Sequence, residues 1–185
     1  MRILGIDPGS LVTGYGVVER RGAEVRHVAH GTLRPERSAP LAPRLARLHA
    51  ALVEVIAAQG PDLVVVEQVF VAANARAALV LGQARGVALA AAAAAGLPVE
   101  ELTPQQVKRA VVGTGAAEKV QVQRMVQRLL ALAALPAQDA ADALAIALCR
   151  AHESALVSAR APGWGVRRPA RGRARAARFV LRRAP

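Results

Sequence analysis

Residues 3–18, ILGIDPGSLVTGYGVV, hold two apolar runs separated by an acidic turn. The pattern predicts a short buried strand from Arg2 to Ile6, a turn from Asp7 to Ser10, and a second strand from Gly14 to Arg20. Because α/β proteins bind ligands at the carboxyl edge of the sheet, a carboxylate at Asp7 is well placed to meet one. An Asp in a turn is also a common local cap, so this stretch alone leaves both roles open.

The rest of the chain alternates between strand and helix patterns. The run LVVV before Glu67 does not alternate with polar residues, which is typical of a central strand buried on both faces. Thr103-Pro104-Gln105-Gln106 supplies an N-cap, a proline at the first helical position and a glutamine at the third, so it predicts a helix start. Further strands are predicted at Glu24 to Leu33, Asp62 to Glu67 and Pro98 to Leu102, and helices at Ala42 to Ala58, Asn74 to Ala95, Glu118 to Ala133 and Gln138 to Glu153. We therefore predict an α/β fold with a central mixed five-stranded sheet flanked by helices.

Positive charge is concentrated at the carboxyl end of the chain. The 185 residues carry a formal charge of +12, yet no acid follows Glu153, and nine arginines lie from Arg160 onward. We predict a folded domain over residues 1–158 and an Arg-rich basic tail over residues 159–185. Such a tail is expected to be disordered, either binding polyanions nonspecifically or serving as a solvated extension.

The sequence also favours a location in the reducing cytoplasm. Cys149 is the single cysteine, so no intramolecular disulfide can form. Met1 and Arg2 lead directly into a predicted strand, without the apolar segment of a secretory signal. The longest apolar stretch, Gly86 to Val99, has about 14 residues, fewer than the roughly 20 needed to span a bilayer. We expect no membrane association.

Three further carboxylates occupy positions where an acidic side chain requires a structural or functional explanation. Glu67 follows four apolar residues, and a buried carboxylate is costly unless it is paired, so it predicts either a salt bridge or a functional site. Asp139 and Asp142 are three residues apart and share one face of the last predicted helix. Asp139 lies in the first turn, where the helix dipole favours an acid, whereas Asp142 has no capping role.

If the fold brings these acids close to Asp7, they require positive charge. At an effective dielectric constant of about 20, two like charges about 4 Å apart repel by roughly 4 kcal/mol. Hard divalent cations such as Mg²⁺ bind carboxylate oxygens together with substrate phosphates, and two such ions can promote displacement at phosphorus. His27 and His30 are predicted to lie on opposite faces of a strand, which makes them poor joint ligands.

Basic and aromatic residues near the acids suggest contacts with phosphates and bases, and a stripe of small residues suggests close helix packing. Lys108 and Lys119 flank a glycine-rich break and could converge on phosphate, although a solvated face is the commoner role. Phe70, just past Glu67, is predicted either to join the core or to stack on or wedge between bases. Small residues on the long helix would let its own sheet, or the same helix of a second subunit, approach closely; they are Ala78, Gly82, Gly86 and Ala90.

Five segments in this order resemble the RuvC family of Holliday junction resolvases. They are ILGIDPGSLVTGYGVV, VVVEQVF, NARAALVLGQARGVA, QVKRAVVGTGAAEK and DAADALAIA. The resemblance covers about Met1 to His152 and implies a ribonuclease H-like nuclease domain that forms a homodimer. It further implies symmetric nicking of two strands of like polarity at a four-way DNA junction, in DNA recombination and repair. The basic tail lies beyond the resemblance.

The resemblance also implies roles for individual residues and partners. Mg²⁺ or Mn²⁺, two ions per active site, would be held by the catalytic acids Asp7, Glu67, Asp139 and Asp142. Phe70, Lys108 and Lys119 would contact the junction DNA. The RuvA and RuvB branch-migration complex would be a partner, and certain T-containing sites would be preferred.

Three other functions share some of these features. A related nuclease that trims structured RNA would use the same acids, and an ATPase of the actin and sugar-kinase type also begins with a strand and a Gly-Ile-Asp turn. Such ATPases need two domains of this kind, and 185 residues leave room for one. A noncatalytic junction-binding protein would instead depend mainly on the basic tail.

Overall fold

The computed structural model describes residues 1–68 and 75–160, with side chains described as far as Glu153. Phe70 and the tail beyond Arg160 lie outside these residues. The elements are β1 (Arg2–Asp7), β2 (Thr13–Arg21), β3 (Glu24–Leu33), α1 (Leu41–Gln59), β4 (Leu63–Glu67), α2 (Ala75–Ala94), β5 (Val99–Leu102), α3 (Pro104–Val112), α4 (Lys119–Leu129) and α5 (Gln138–Arg160). All five predicted strands are present within about two residues of their predicted ends.

The strands form one mixed sheet in the order β3-β2-β1-β4-β5. β1, β2 and β3 are antiparallel neighbours, whereas β4 runs parallel to β1 and β5 runs parallel to β4. The central position of β4 explains its unbroken apolar run, since Leu63 to Val66 are buried and face helices on both sides of the sheet. The predicted mixed five-stranded α/β sheet is confirmed.

Helices cover the sheet on both faces. α1 and α2 pack over one apolar layer that includes Leu4, Ile6, Val64 and Val66. α3, α4 and α5 pack over the opposite layer, against strand residues such as Val65. Alternating residues of the central strands therefore pack into two separate hydrophobic cores.

Glycines allow α5 to lie directly on β1 and β2. A Cβ added to Gly14 would stand 1.8 Å from the carbonyl oxygen of Asp139, and one added to Gly5 would stand 2.2 Å from that of Ala143. A Cβ at Gly16 would meet the backbone of Leu144 at 2.6 Å. Any larger residue here would push α5 away from the strands, so these glycines set the position of the acids on that helix.

The predicted helix start at Thr103 is confirmed as a capping box. The Thr103 hydroxyl oxygen accepts the backbone N–H of Gln106 at 3.2 Å, and the Gln106 side chain accepts the backbone N–H of Thr103 at 2.9 Å. Gly113 then ends α3 in the left-handed region, with φ of 86°. α4 is shorter than predicted, because its last turn closes at Leu130 and Ala131 adopts a φ of 48°.

The prediction that His27 and His30 face opposite sides of β3 is wrong. Val17 pairs with Ala29 while Val18 pairs with His27, so a β-bulge inserts one extra residue between the two histidines. The bulge reverses the alternation, and His27 Nε2 lies 2.8 Å from His30 Nδ1. Strict alternation of side chains holds only where the strand register is regular.

Among the described residues, α2 is the one helix long and apolar enough to cross a membrane by length and composition alone, with a mean hydropathy of 1.5. The longest apolar stretch identified in the sequence was shorter than this helix, because that stretch was counted from the residue after Arg85. A mostly buried core helix passes the same test, whereas only 22% of this stretch of α2 is buried, at residues such as Ala84, Ala88 and Ala91.

Candidate active site

Two neighbouring parallel strands each end in a carboxylate. Asp7 is the last residue of β1 and Glu67 the last of β4, and the register of these strands pairs Ile6 with Val66, one position earlier. The two acids therefore emerge side by side at the carboxyl edge of the sheet, as predicted for Asp7. Both side chains are half-buried.

α5 brings a third carboxylate to the same place. Asp142 lies on α5, which crosses β1 and β2 at the glycine contacts, and it lines a cavity of about 280 Å³ together with Asp7 and Glu67. The other lining residues come from α3 and α4; they are Pro104, Val107, Lys108, Lys119 and Val122. Acids from three distant segments and two lysines thus share one cavity.

Asp139 stands one helical turn before Asp142 and is half-buried. It does not line the cavity, but its charge raises the pKa of both Asp7 and Asp142. The structure therefore brings three of the four predicted acids into the cavity wall and leaves the fourth within electrostatic range.

Burial makes the charged form of these acids costly. The pKa of Asp7 is raised from 3.8 to about 8, mainly by burial, then by the charges of Glu67 and Asp142, while Lys119 opposes the shift. Burial also raises the pKa of Glu67 and of Asp142. A group of carboxylates in this condition binds either protons or cations at neutral pH.

The two lysines supply part of the missing positive charge. Lys119 Nζ lies 3.6 Å from Asp142 Oδ2, and its side chain is 67% exposed while that of Asp142 is 21% exposed. Lys108, from α3, lowers the pKa of Glu67 and Asp142 through its charge. Lys108 and Lys119, on either side of the glycine-rich break, both line this cavity.

The donor set fits a hard divalent cation. Within the described parts of the chain, no three His, Cys, Asp or Glu side chains already form a metal cage. The acids nevertheless offer several carboxylate oxygens to one cavity, and their raised pKa values signal a site that gains from positive charge. Oxygen-only ligands suit Mg²⁺ or Mn²⁺ better than softer metals.

Sequence reasoning missed two features that position this site. One is the set of glycines that contact α5. In the sequence, only the spacing of Gly14 and Gly16, on either side of one residue of β2, could have indicated this contact. The other is an ion pair between Arg85 and Glu101 beside Gln68, at the end of β4. An ion pair between a helix and a strand 16 residues away has no periodic signal in the sequence.

This fold and this acidic cavity define a class: metal-dependent nucleases with the ribonuclease H-like fold. A family model described as "Crossover junction endodeoxyribonuclease RuvC" matches residues 3–150. The chain belongs to this family, whose members resolve Holliday junctions by metal-dependent hydrolysis of phosphodiester bonds.

Individual relatives agree with the family assignment. The crossover junction endodeoxyribonuclease RuvC of Halorhodospira halophila is 57% identical over 151 residues, covering 82% of this chain and 90% of the relative. That of Geobacter metallireducens is 52% identical over 156 residues, covering 84% and 95%.

Solved structures agree on the fold. The structure of T. thermophilus RuvC in complex with a Holliday junction substrate matches with a TM-score of 0.79 and 37% identity, covering 84% of this chain and 96% of that one. The yeast mitochondrial Holliday junction resolvase matches with a TM-score of 0.63 at 14% identity, covering 85% of this chain and 80% of that one, and shows a likeness of fold alone.

Proposed function

We propose that Asp7, Glu67, Asp139 and Asp142 are the catalytic metal ligands with which this chain nicks two strands of like polarity symmetrically at a Holliday junction. One observation carries the proposal. Acids from β1, β4 and α5, far apart in the sequence, line one cavity together with Lys108 and Lys119. Family membership supplies the substrate, since a relative binds a Holliday junction.

The proposed cofactor is Mg²⁺ or Mn²⁺, two ions per active site. When bound, such ions activate a water molecule and stabilise the leaving oxygen of an in-line displacement at phosphorus. Asp7 and Glu67 hold fixed positions at adjacent strand ends, and Asp142 approaches from α5. The protein thus offers carboxylate oxygens from rigid elements, which limits the reorganisation needed during the reaction.

The lysines and Phe70 are proposed to contact the DNA. Lys119 is mostly exposed and stands beside Asp142, so its ammonium group is within reach of a phosphate entering the cavity. Lys108 lines the same cavity from α3. Phe70 follows Glu67 by three residues, outside the described residues, and is proposed to contact the junction by stacking on its bases.

We further propose a homodimer that works with the RuvA and RuvB branch-migration complex in the cytoplasm. Ala78, Gly82, Gly86 and Ala90 form an exposed face of α2, and a Cβ added to either glycine would meet nothing within 4 Å. A face of small residues permits close packing with the same helix of a second subunit. Two copies would place two active sites on one junction.

The basic tail after residue 158 is proposed to add nonspecific affinity for DNA. Its arginines would release counterions from phosphates, so its contribution would weaken as salt increases. Removing residues 161–185 should weaken junction binding and flatten its salt dependence while nicking is retained. Loss of all nicking at saturating protein would instead favour a noncatalytic protein that depends on its tail.

A labelled four-way junction incubated with the protein and Mg²⁺ tests the function. We expect paired nicks of like polarity, and Asp7→Asn should lower their rate by about a hundredfold or more while junction binding persists. Glu54→Gln, which alters an exposed acid on α1, is the matched control and should leave nicking unchanged.

Two results would contradict the proposal. One is the absence of paired nicks from the unaltered protein, and the other is nicking undiminished by Asp7→Asn. Matched RNA substrates decide between this function and an RNA nuclease, since faster cleavage of RNA would favour the second.

A further inference from the structure

An ion pair joins α2 to the sheet beside the candidate active site. The guanidinium group of Arg85, on α2, contacts the Glu101 carboxylate on β5. The two side chains are 28% and 30% exposed, so the pair is largely shielded from solvent. In that setting an Arg–carboxylate contact restrains geometry more than an exposed surface pair does.

The second oxygen of the same carboxylate reaches the residue that follows Glu67. Gln68 Nε2 lies 3.5 Å from Glu101 Oε2, while Arg85 contacts Oε1. The backbone N–H of Gln68 donates to the carbonyl oxygen of Leu102 at 2.8 Å. Gln68 is therefore held through both its backbone and its side chain.

The alternation of the strand links this contact to Glu67. Val66 pairs with Glu101 and Glu67 pairs with Leu102 across the parallel strands. Residues at i and i+1 face opposite sides of a sheet, so Gln68 is held on the α2 face while Glu67 presents its carboxylate on the opposite face. Rotation of the strand end at Gln68 would turn Glu67 out of the cavity.

We propose that Arg85 is a positioning residue which, through Glu101 and Gln68, fixes the end of β4 so that the Glu67 carboxylate points into the acidic cavity. This inference rests on the proposed metal-binding role of Glu67. Arg85 is not among the residues that line the cavity. Its effect on metal binding is indirect, through the orientation of one ligand.

The chain contains a matched control one residue away. Glu100 precedes Glu101 on β5 and forms a two-point ion pair with Arg150 of α5, including a contact of 3.0 Å from Arg150 Nη2 to Glu100 Oε1. Their side chains are 43% and 21% exposed. This pair has the same chemistry on the opposite face of the sheet from the Arg85–Glu101 pair.

Glu101→Gln and Glu100→Gln are therefore the variants to compare. Arg85 and Gln68 both donate to Glu101, and a glutamine has one acceptor oxygen, so its amide group would face a donor. Calorimetric titration of Mn²⁺ into each full-length protein, without DNA, measures metal affinity directly. We expect the Mn²⁺ dissociation constant to rise about tenfold in Glu101→Gln and less than about twofold in Glu100→Gln.

Arg85→Met should reproduce the effect of Glu101→Gln, and Arg85→Lys should recover most of the metal affinity. Equal shifts for Glu100→Gln and Glu101→Gln, or no shift for Glu101→Gln, would overturn the proposal. So would a shift explained by dissociation of the dimer, which light scattering on the same samples detects. Junction nicking by the unaltered protein is scored separately, so failure of the proposed function is distinguishable from failure of this inference.

Discussion

Asp7 shows how a half-buried carboxylate among other acids favours a bound proton or cation. It ends a strand in which Ile3, Leu4 and Ile6 are completely buried, and it lines a cavity with two other acids. Burial and like charges together raise its pKa to about 8, although Lys119 lowers it in part. The sequence predicted the acid and its place at the strand end, but the size of the shift depends on neighbours that only the folded chain supplies.

The raised pKa of Asp7 predicts a pH dependence of stability in the metal-free protein. The folded state keeps a proton on Asp7 up to about pH 8, whereas the unfolded chain loses it near 3.8. The folded state binds more protons across this window, so the free energy of unfolding falls as pH rises through it. We expect it to be lower at pH 8 than at pH 6 by on the order of 2 kcal/mol.

Urea unfolding at both pH values, with a chelator present, measures this difference. Asp7→Asn removes the titrating group and should flatten the dependence, while Glu54→Gln on the surface of α1 should leave it unchanged. Stability that is equal at both pH values, or higher at pH 8, would be inconsistent with a protonated Asp7 in the folded protein.

Single elements show where the sequence was informative and where it was not. The capping box at Thr103 and the apolar run before Glu67 are local signals, and both predicted elements are confirmed. The bulge at Val28 depends on the pairing of β3 with β2, and no local pattern indicated it or the early end of α4. The same holds for the close approach of α5, because the need for glycine arises from a partner more than 120 residues away.

The contact between β2 and α5 predicts a severe effect of Gly14→Ala. The new Cβ would stand 1.8 Å from the carbonyl oxygen of Asp139, so the start of α5 must move. We expect a loss of about 1 to 3 kcal/mol in the free energy of unfolding, together with impaired nicking. Urea unfolding and the junction assay measure the two effects.

Gly115→Ala is the control for this change. Its Cβ would meet its nearest neighbour at 3.8 Å, an ordinary contact, so stability should be nearly unchanged. Similar stability for Gly14→Ala and the unaltered protein would show that α5 does not rest on β2 as described.

A substitution on the exposed face of α2 should disrupt the proposed dimer without disturbing the fold of the subunit. Gly86→Leu fills open space in a single subunit and replaces a poor helix former with a good one, so the monomer should keep its stability. Close helix packing between subunits would be blocked. We expect the dimer dissociation constant to rise at least about tenfold, measured by light scattering over a dilution series.

Ala50→Leu, on the exposed surface of α1, is the matched control for an added leucine and should not alter assembly. An unchanged dimer in Gly86→Leu would exclude this face of α2 as the subunit interface. The proposed active site would stand in that case, since its acids come from a single chain.

At the scale of the whole molecule, the order of the strands is what gathers the acids. β1 and β4 are separated by three other elements in the sequence yet lie side by side and parallel in the sheet. α5 returns the end of the described chain to the same edge. The sequence patterns predicted each element separately. The prediction that these elements bring the acids together came from the family resemblance rather than from periodicity or spacing.

Localised oxidative cleavage tests this convergence most directly. Fe²⁺ bound in place of Mg²⁺, with ascorbate and peroxide, cuts the polypeptide close to the bound metal, and mass spectrometry locates the cuts. A shared metal site predicts cuts near Asp7, Glu67 and Asp142 that appear together, are suppressed by excess Mg²⁺ and disappear in Asp7→Asn. Cuts near only one of these residues, or unchanged cuts in Asp7→Asn, would contradict a shared metal site.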